Sequence, residues 1–157
     1  MAFVKLEHRL GIQAPADAIW AVIADVPAWS EWNPLYPKAE GAIRIGSPLT
    51  LELALPGQAP RAIQPVIKDW VPNEQLHWRL RLMGGLVKTT RYIEIEQLTE
   101  TACIFSNGEL FEGMIGPMMA RRMRGPIRAG FAAMGEAVKA RVEARWRKGP
   151  IALTLEP

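Results

Sequence analysis

The sequence is poor in residues that form disulfides or bind metals, with one cysteine and two histidines among 157 residues. Because Cys103 has no second cysteine, a disulfide framework is excluded, and a reducing compartment is allowed without being proved. His8 and His77 lie far apart and give no metal-ligand spacing with Cys103. We therefore expect no metal site, and no motif indicates a cofactor.

Long apolar runs and nucleotide-binding motifs are missing as well. No stretch approaches the roughly 18 uncharged apolar residues of a membrane span. Charges at alternate positions within residues 1–12 argue against a signal peptide. A glycine-rich phosphate loop and a GxSxG elbow are also absent. The default expectation is a cytoplasmic protein without a membrane span.

The composition is that of a folded domain, because 49% of the residues are apolar and 22% are charged. A chain of this length buries roughly 68–70% of its unfolded surface, which is enough for a core that encloses a cavity. We expect a single domain over residues 1–148, followed by a C-terminal tail over residues 149–157.

The N-terminal part of the chain predicts one strand and two short helices. Apolar and charged residues alternate over Val4–Ile12, as in a half-buried strand. Pro15 suits the first turn of a helix, and apolar residues within Ile19–Ile23 recur at helical spacing. A second short helical piece over residues 28–36 carries three aromatic side chains.

A series of strands separated by turn residues follows. Glycine and proline punctuate the sequence at short intervals, which predicts an antiparallel meander rather than βαβ units. The predicted strands are Ala42–Ile45, Leu49–Leu55, Arg61–Val71, Gln75–Met83, Leu86–Leu98 and Thr101–Phe111. Pro65 inside the third of these indicates an edge position or a bulge.

The last predicted element is a long helix with one apolar stripe. The stripe residues are Ile127, Phe131, Met134, Val138 and Val142. Residues 116–124 predict a preceding turn of helix, with Gly125-Pro126 as the break. Strands followed by one long helix indicate an α+β fold, in which the helix buries its stripe on the concave face of the sheet.

Several segments resemble the START-related SRPBCC superfamily, which includes polyketide cyclases/dehydrases and lipid-transfer domains. The segments are Ile12–Ala16 with Trp20, Trp29–Pro34, Pro72 with Leu76 and Trp78, and Phe105–Phe131. The resemblance covers about residues 3–146. It implies a helix-grip fold, in which a curved seven-stranded antiparallel sheet surrounds the long C-terminal helix, two short helices follow the first strand, and a cavity separates sheet and helix. Because this scaffold serves many tasks, function has to be argued from the site.

Side-chain alternation divides the residues of each strand between two faces, and the resemblance implies which face of the last strand points into the cavity. On the last strand Glu109 falls on the predicted inner face, and a hairpin near residues 99–100 places Arg91 opposite it. Such an Arg–carboxylate pair has a structural, a ligand-anchoring or a catalytic interpretation. His8 on the apolar face of the first strand is either a core residue or a functional one.

The remaining candidates are apolar or aromatic. Methionines are concentrated between residues 114 and 134, where they either line an adaptable pocket or fill the core. The candidate ligand-binding residues are Trp32, Tyr36, Trp78, Leu80, Arg91, Ile93, Phe105, Asn107, Glu109, Phe111, Met119, Met123, Ile127, Phe131 and Met134.

Three functions are compatible with these patterns. The first is binding or carrying a small hydrophobic ligand, such as a lipid, polyketide or aromatic molecule, by a monomer or weak homodimer. The second is cyclase- or dehydratase-type catalysis with Glu109, Arg91 and His8 as candidate catalytic residues, which needs an unpaired, desolvated acid. The third is binding to an anionic membrane or nucleic acid, because basic residues outnumber acidic ones nine to two over residues 116–148. We expect no nucleic acid as partner, since such a basic excess is more often the solvated face of an amphipathic helix.

Overall fold

The computed structural model describes the backbone of residues 3–155 and the side chains of residues 3–147. The strands are β1 (Val4–Ile12), β2 (Lys38–Glu40), β3 (Thr50–Leu53), β4 (Arg61–Ile63), β5 (Val66–Val71), β6 (Gln75–Leu82), β7 (Val87–Thr99) and β8 (Ala102–Glu112). The α-helices are α1 (Ala16–Ala24), α2 (Gly116–Arg122) and α3 (Arg124–Leu155). A 3-10 helix over Val26–Glu31 follows α1, and a 3-10 turn over Met83–Gly85 connects β6 to β7. The α+β class, the antiparallel sheet and the long C-terminal helix are confirmed.

The strands form a five-stranded sheet in the order β1-β8-β7-β6-β5 and a three-stranded sheet in the order β2-β3-β4. The described chain thus has eight strands in two sheets, where the sequence predicted seven in one. The difference arises at Pro65, which separates β4 from β5 inside the predicted strand Arg61–Val71. Leu49 N–H still donates to the Pro65 carbonyl oxygen at 2.9 Å, but Pro65 has no N–H to return. One bent strand is therefore divided in two.

The first strand of the small sheet lies earlier than the sequence predicted. The prediction placed it at Ala42–Ile45, whereas β2 spans Lys38–Glu40 and residues 42–45 pair with no strand of the described chain. Gly41 turns the chain with a φ of 125°, which a side chain would oppose. Ile45 is 67% exposed, so its apolar character does not mark a buried strand.

The two C-terminal helices are separated at Met123, two residues before the predicted break at Gly125-Pro126. Met123 N–H donates to the Met119 carbonyl at 2.9 Å, and Ile127 N–H donates to the Met123 carbonyl at 3.0 Å. Pro126 lies in the first turn of α3, where a missing N–H removes no intrahelical bond. The backbone of α3 continues to Leu155 and so enters the predicted tail 149–157, whose side chains lie outside the described residues. The domain boundary at residue 148 stays a prediction.

The apolar stripe of α3 faces the sheet, as its spacing predicted. All five stripe residues are buried, and α3 packs against β1, β8 and α1. Ile19, Val22 and Ile23 of α1 are buried as well, whereas Trp20 is half-buried and stacks on Trp70 with ring centroids 6.1 Å apart. Within the described residues, no helix is both long and apolar enough for a transmembrane segment.

Candidate functional site

A cavity of about 460 Å³ lies between the small sheet, the inner face of β6–β8 and the helices α2 and α3. The lining is mostly aliphatic and aromatic. The lining residues are Tyr36, Leu53, Leu55, Gln58, Ala59, Arg61, Ile63, Trp78, Leu80, Leu82, Thr89, Glu109, Phe111, Met119, Arg122, Met123, Ile127 and Phe131. A concave, mainly apolar space with a few polar groups is typical of small-molecule sites.

An aromatic cluster forms one wall of this cavity. Trp29 stacks on Tyr36 with ring centroids 5.7 Å apart, and Trp78 meets Trp29 at 6.1 Å and Tyr36 at 5.8 Å. Asn33 positions Tyr36 because its Oδ1 accepts hydrogen bonds from the backbone N–H groups of Leu35 and Tyr36 at 3.0 and 3.1 Å. The Asn-Pro sequence after the two tryptophans therefore turns the chain so that Tyr36 faces the sheet.

The guanidinium of Arg91 is buried behind this wall. Its Nε donates to the Tyr36 hydroxyl at 3.0 Å, and its Nη1 donates to the carbonyl oxygens of Tyr92 and Gly108 at 2.9 and 3.1 Å. Its charge lies 4.3 Å from the centre of the Phe131 ring, a favourable cation–π geometry. Arg91 thus joins the aromatic cluster to the backbone of β7 and β8.

The predicted Arg91–Glu109 ion pair is wrong in its contact, although the register is right. The two residues are direct partners across β7 and β8, but no ion pair joins them among the described residues. Backbone carbonyls and Tyr36 take the guanidinium donors instead. Glu109 is left at the cavity wall without a cation in contact.

The environment of Glu109 favours a protonated carboxyl group. Burial raises the pKa of Glu109, while a polar contact with the Thr89 hydroxyl and the charge of Arg91 act in the opposite direction without reversing the shift. A carboxyl group with a raised pKa in a cleft is a candidate for proton transfer.

Thr89 adds a second polar group to the same wall. Its side chain is only 2% exposed, and its Oγ1 has no hydrogen bond of ordinary geometry within the described chain. Buried hydroxyl groups are normally satisfied, so this oxygen is available to a bound molecule. Thr89 and Glu109 both lie on the cavity surface.

The structure brings nine of the fifteen candidate ligand-binding residues to the cavity. These are Tyr36, Trp78, Leu80, Glu109, Phe111, Met119, Met123, Ile127 and Phe131. The other six lie outside its wall, and they are Trp32, Arg91, Ile93, Phe105, Asn107 and Met134. The alternation of strand residues identified the inner face correctly, but the inner face extends beyond the cavity.

The six outlying candidates have structural partners that explain their positions. Ile93, Phe105 and Met134 are fully buried core residues. Asn107 donates through Nδ2 to the Phe131 carbonyl at 2.8 Å, which ties β8 to α3. Trp32 lies edge-on to Trp29 with ring centroids 6.4 Å apart, which attaches it to the aromatic cluster.

His8, the third candidate catalytic residue, lies away from the cavity under α3. It is the direct partner of Asn107 across β1 and β8, and its Nδ1 is buried without a hydrogen-bond partner among the described residues. Gly135 allows α3 to approach this ring, since an added Cβ would lie 3.1 Å from Nδ1. This position does not bring His8 to Glu109, and the choice between a core and a functional role stays open.

The methionine cluster divides between the two interpretations that the sequence left open. Met119 and Met123 line the cavity. Met134 is buried in the core, whereas Met114 and Met118 are 86% and 55% exposed. Helical spacing could not separate these roles, because the helix is interrupted at Met123 and the spacing in α2 does not continue into α3.

Nine lining residues were missed by the sequence reasoning. They are Leu53, Leu55, Gln58, Ala59, Arg61, Ile63, Leu82, Thr89 and Arg122. Leu82 and Thr89 share strand faces with predicted residues, so alternation could have found them. The first six lie on or between β3 and β4, where a proline- and glycine-containing loop hides the pairing of two short strands.

Two features of the sequence analysis remain, the single cysteine and the expected absence of a metal site. Burial raises the pKa of the Cys103 thiol, helped by the charge of Asp17, which agrees with a buried, inert thiol. Within the described side chains, no group of three histidine, cysteine, aspartate or glutamate residues converges in a metal-binding arrangement. The absence of a metal cofactor stays a prediction.

Part of the basic excess on α3 is used within the chain. Lys139 Nζ donates to the Gly11 carbonyl and to Glu143, both at 2.8 Å, and Arg141 pairs with Glu31 at 2.8 Å. These contacts hold α3 against the N-terminal elements. They account for only some of the basic residues, so binding to an anionic surface stays an open alternative.

Family comparison agrees with this architecture. A family model described as polyketide cyclase / dehydrase and lipid transport matches residues 4–145. The chain belongs to this family. The match spans every strand and the larger part of α3, and it confirms the resemblance to the SRPBCC superfamily. No curated protein sequence matches the chain.

Solved structures with the polyketide cyclase / dehydrase and lipid transport fold superpose on most of the chain. The Zhui aromatase/cyclase from Streptomyces sp. R1128 is 21% identical, with a TM-score of 0.75 and coverage of 94% of this chain and 98% of that one. A norcoclaurine synthase from Thalictrum flavum is 18% identical, with a TM-score of 0.71 and coverage of 92% and 96%. A START superfamily protein from Mycobacterium smegmatis is 19% identical, with a TM-score of 0.69 and coverage of 89% and 97%. At these identities the similarity shows the fold alone.

Proposed function

We propose that the cavity binds a small, largely apolar molecule that places an oxygen atom near Glu109 and Thr89. The observation that carries this proposal is the cavity itself, whose volume of about 460 Å³ falls within the range of about 300–1,000 Å³ typical of ligand sites. Its apolar lining favours a lipid, polyketide or aromatic body. The Thr89 hydroxyl and the neighbouring Glu109 carboxyl supply the polar contacts.

Blocking the cavity tests this proposal. Leu80→Trp places a large ring in the cavity, whereas Arg79→Trp places the same ring on the exposed face of β6. The neutral dye N-phenyl-1-naphthylamine serves as an apolar probe whose fluorescence rises on binding. We expect saturable binding to the wild type and to Arg79→Trp, and its loss in Leu80→Trp. Equal binding by both variants, or none by the wild type, would contradict the proposal.

The natural ligand is sought in parallel. Native mass spectrometry of freshly purified protein, followed by solvent extraction, identifies any molecule that remains bound. A stoichiometric apolar molecule that is absent from Leu80→Trp would support occupation of this cavity. The intact mass of the protein also shows whether it is the expected monomer or weak homodimer. The same molecule on both proteins would place it elsewhere.

A second candidate function, proton-transfer catalysis of the cyclase or dehydratase type, is favoured by the state of Glu109. Its carboxyl group is desolvated and has no cation in contact among the described residues, which is the condition that such chemistry needs. The protonated carboxyl can donate to a leaving hydroxyl oxygen. The resulting carboxylate can then take a proton from the neighbouring carbon, so that water leaves and the acid is restored.

Binding and catalysis are separated by Glu109→Gln. The substitution keeps the size of the side chain and removes its exchangeable acid proton. With the extracted ligand or its biosynthetic precursor as substrate, loss of turnover with retained binding would support catalysis. Turnover by Glu109→Gln equal to that of the exposed control Glu136→Gln would exclude Glu109 as the catalytic acid, and an absence of turnover by the wild type would leave ligand binding as the function.

A further inference from the structure

Two arginines stand at the opening of the cavity. Arg61 belongs to β4 of the small sheet and Arg122 is the last residue of α2, so they approach from different elements. Both line the cavity and both are exposed to solvent. A residue that touches cavity and solvent at once marks the mouth.

Neither guanidinium is neutralised by the part of the chain that the structure describes. The ion pairs formed there involve other residues, so no carboxylate oxygen lies within 4.0 Å of Arg61 or Arg122. The five donors of each guanidinium are therefore available to an anion.

A further fixed positive charge, that of Arg91, lies behind the inner wall of the cavity. Glu109 is the only acidic residue on the described lining, and its burial favours the neutral form. Arg91 lies behind the wall, 1% exposed and without a carboxylate in contact. Fixed positive charge with low-dielectric walls focuses a positive potential towards the opening.

We propose that the cavity selects an amphiphilic anion, whose carboxylate, sulfonate or phosphate group binds between Arg61 and Arg122. The apolar body then extends inward along Trp78, Leu80 and Phe131. This inference rests on the proposed function and adds the charge class of the ligand. Guanidinium groups suit the role because they bind oxyanions through two parallel hydrogen bonds. An anion at the mouth also keeps part of its hydration, which lowers the desolvation penalty.

Two dyes that share one aromatic skeleton test the proposal. 8-Anilinonaphthalene-1-sulfonate carries a sulfonate, and N-phenyl-1-naphthylamine lacks it. In the double variant Arg61→Gln/Arg122→Gln we expect the dissociation constant of the sulfonate dye to rise about fivefold, which corresponds to about 1 kcal/mol for the two exposed ion pairs together. The dissociation constant of the neutral dye should change by less than about twofold.

A matched control separates a local effect from a change in net charge. Arg121→Gln/Arg124→Gln also removes two exposed arginines next to α2, but neither residue lines the cavity. We expect this control to bind the sulfonate dye nearly as well as the wild type. Added sodium chloride should weaken binding of the sulfonate dye to the wild type more than to the Arg61→Gln/Arg122→Gln variant.

The outcomes distinguish this inference from the function on which it rests. If the neutral dye does not bind the wild type, the proposed function fails. If the neutral dye binds while the two double variants lose equal affinity for the sulfonate dye, the selection for anions is overturned and the apolar site stands. Retention of the sulfonate dye by Leu80→Trp would also overturn the inference, because the dye would then be bound outside the cavity.

Discussion

Glu109 and Arg91 occupy opposite positions on neighbouring strands, and their surroundings give them different roles. The donors of Arg91 are taken by Tyr36 and two backbone carbonyls, so this residue holds the wall of the site. Glu109 faces the cavity and has a raised pKa because it is buried. The same register that suggested an ion pair thus places a structural cation on the strand next to a carboxyl group that faces the cavity.

The raised pKa of Glu109 predicts a specific pH dependence of stability. The folded chain binds this proton more tightly than the unfolded chain, whose carboxyl group has the ordinary value of 4.5. The resulting stabilisation is complete below that value and is lost as the pH rises through the raised pKa. Glu109→Gln removes this loss, so the variant should gain stability relative to the wild type as the pH rises.

Denaturant unfolding at several pH values from about 4 to 8 measures this effect. Glu136→Gln on the exposed face of α3 is the control and should follow the wild type. If the curves of Glu109→Gln and the wild type stay parallel over the whole range, the folded-state pKa of Glu109 is not raised.

Replacement of Arg91 by methionine is expected to destabilise the fold. The variant keeps a side chain of similar length but leaves the Tyr92 and Gly108 carbonyl oxygens without donors. An unpaired buried acceptor costs about 1–3 kcal/mol, so the free energy of unfolding should fall by at least that amount. Arg79→Met, on the exposed side of β6, should change it by less than about 0.5 kcal/mol. Similar unfolding midpoints for the two variants would show that Arg91 does not hold the strands.

The alternation of residues along β6–β8 was enough to predict the inner face of the sheet and the opposition of Arg91 and Glu109. It was not enough to predict their contacts, because cross-strand register fixes the positions of the Cβ atoms and not the direction of a long side chain. Tyr36 decides the direction of the guanidinium. Its place depends on the turn at Asn33, a local hydrogen-bond pattern that sequence spacing does not reveal.

Among the elements, β8 depends on a glycine at its centre. Gly108 lies between β1 and β7, and the ring of Tyr92 covers it on the outer face of the sheet. The Tyr92 hydroxyl thereby reaches the Glu7 carboxylate on β1 and donates a hydrogen bond to it. Burial and this hydrogen bond raise the pKa of Tyr92. The absence of a side chain at position 108 lets an aromatic ring join three strands.

Gly108→Ala is expected to destabilise the sheet. An added Cβ would lie 2.7 Å from the Leu6 carbonyl oxygen and would also overlap the Tyr92 ring, so strand and ring must both move. Overpacking of this kind costs about 1–3 kcal/mol. Gly11→Ala in β1 meets no atom within 4 Å and should stabilise by up to about 1 kcal/mol, because glycine inside a strand is destabilising relative to alanine. Thermal unfolding should therefore shift in opposite directions, and shifts of the same sign would contradict this account.

The elements differ in how well the sequence predicts them. The long strands and the buried stripe of α3 follow from periodicity because one face of each is covered. Pro65 indicated an irregularity inside the third predicted strand, but its division into two strands and the position of β2 could not be predicted, since three-residue strands carry too few positions for a pattern. The missed lining residues Arg61 and Gln58 belong to this same region.

At the scale of the whole molecule, a ligand in the cavity would become part of the layer between sheet and helices. The cavity separates the small sheet from α2 and α3, so a bound molecule completes contacts that the chain alone leaves open. A ligand that binds only the folded state stabilises it by about 2.7 kcal/mol at 100 times its dissociation constant.

We therefore expect saturating N-phenyl-1-naphthylamine to raise the unfolding temperature of the wild type. Leu80→Trp should show no such rise because its added ring already occupies the space. Arg79→Trp, with the same ring on the outer face, should respond as the wild type does. A thermal shift of equal size in Leu80→Trp would mean that the dye binds at another place.

The aromatic cluster of Trp29, Tyr36 and Trp78 also gives the molecule an optical property. Rings held at fixed, unequal angles of 26°, 41° and 67° form a chiral array, and such arrays are expected to give strong near-ultraviolet circular dichroism. Since Tyr36 and Trp78 touch the cavity, an occupant that moves either ring must change the sign or intensity of these bands. Near-ultraviolet circular dichroism should therefore detect, without an added label, an occupant that moves either of these rings.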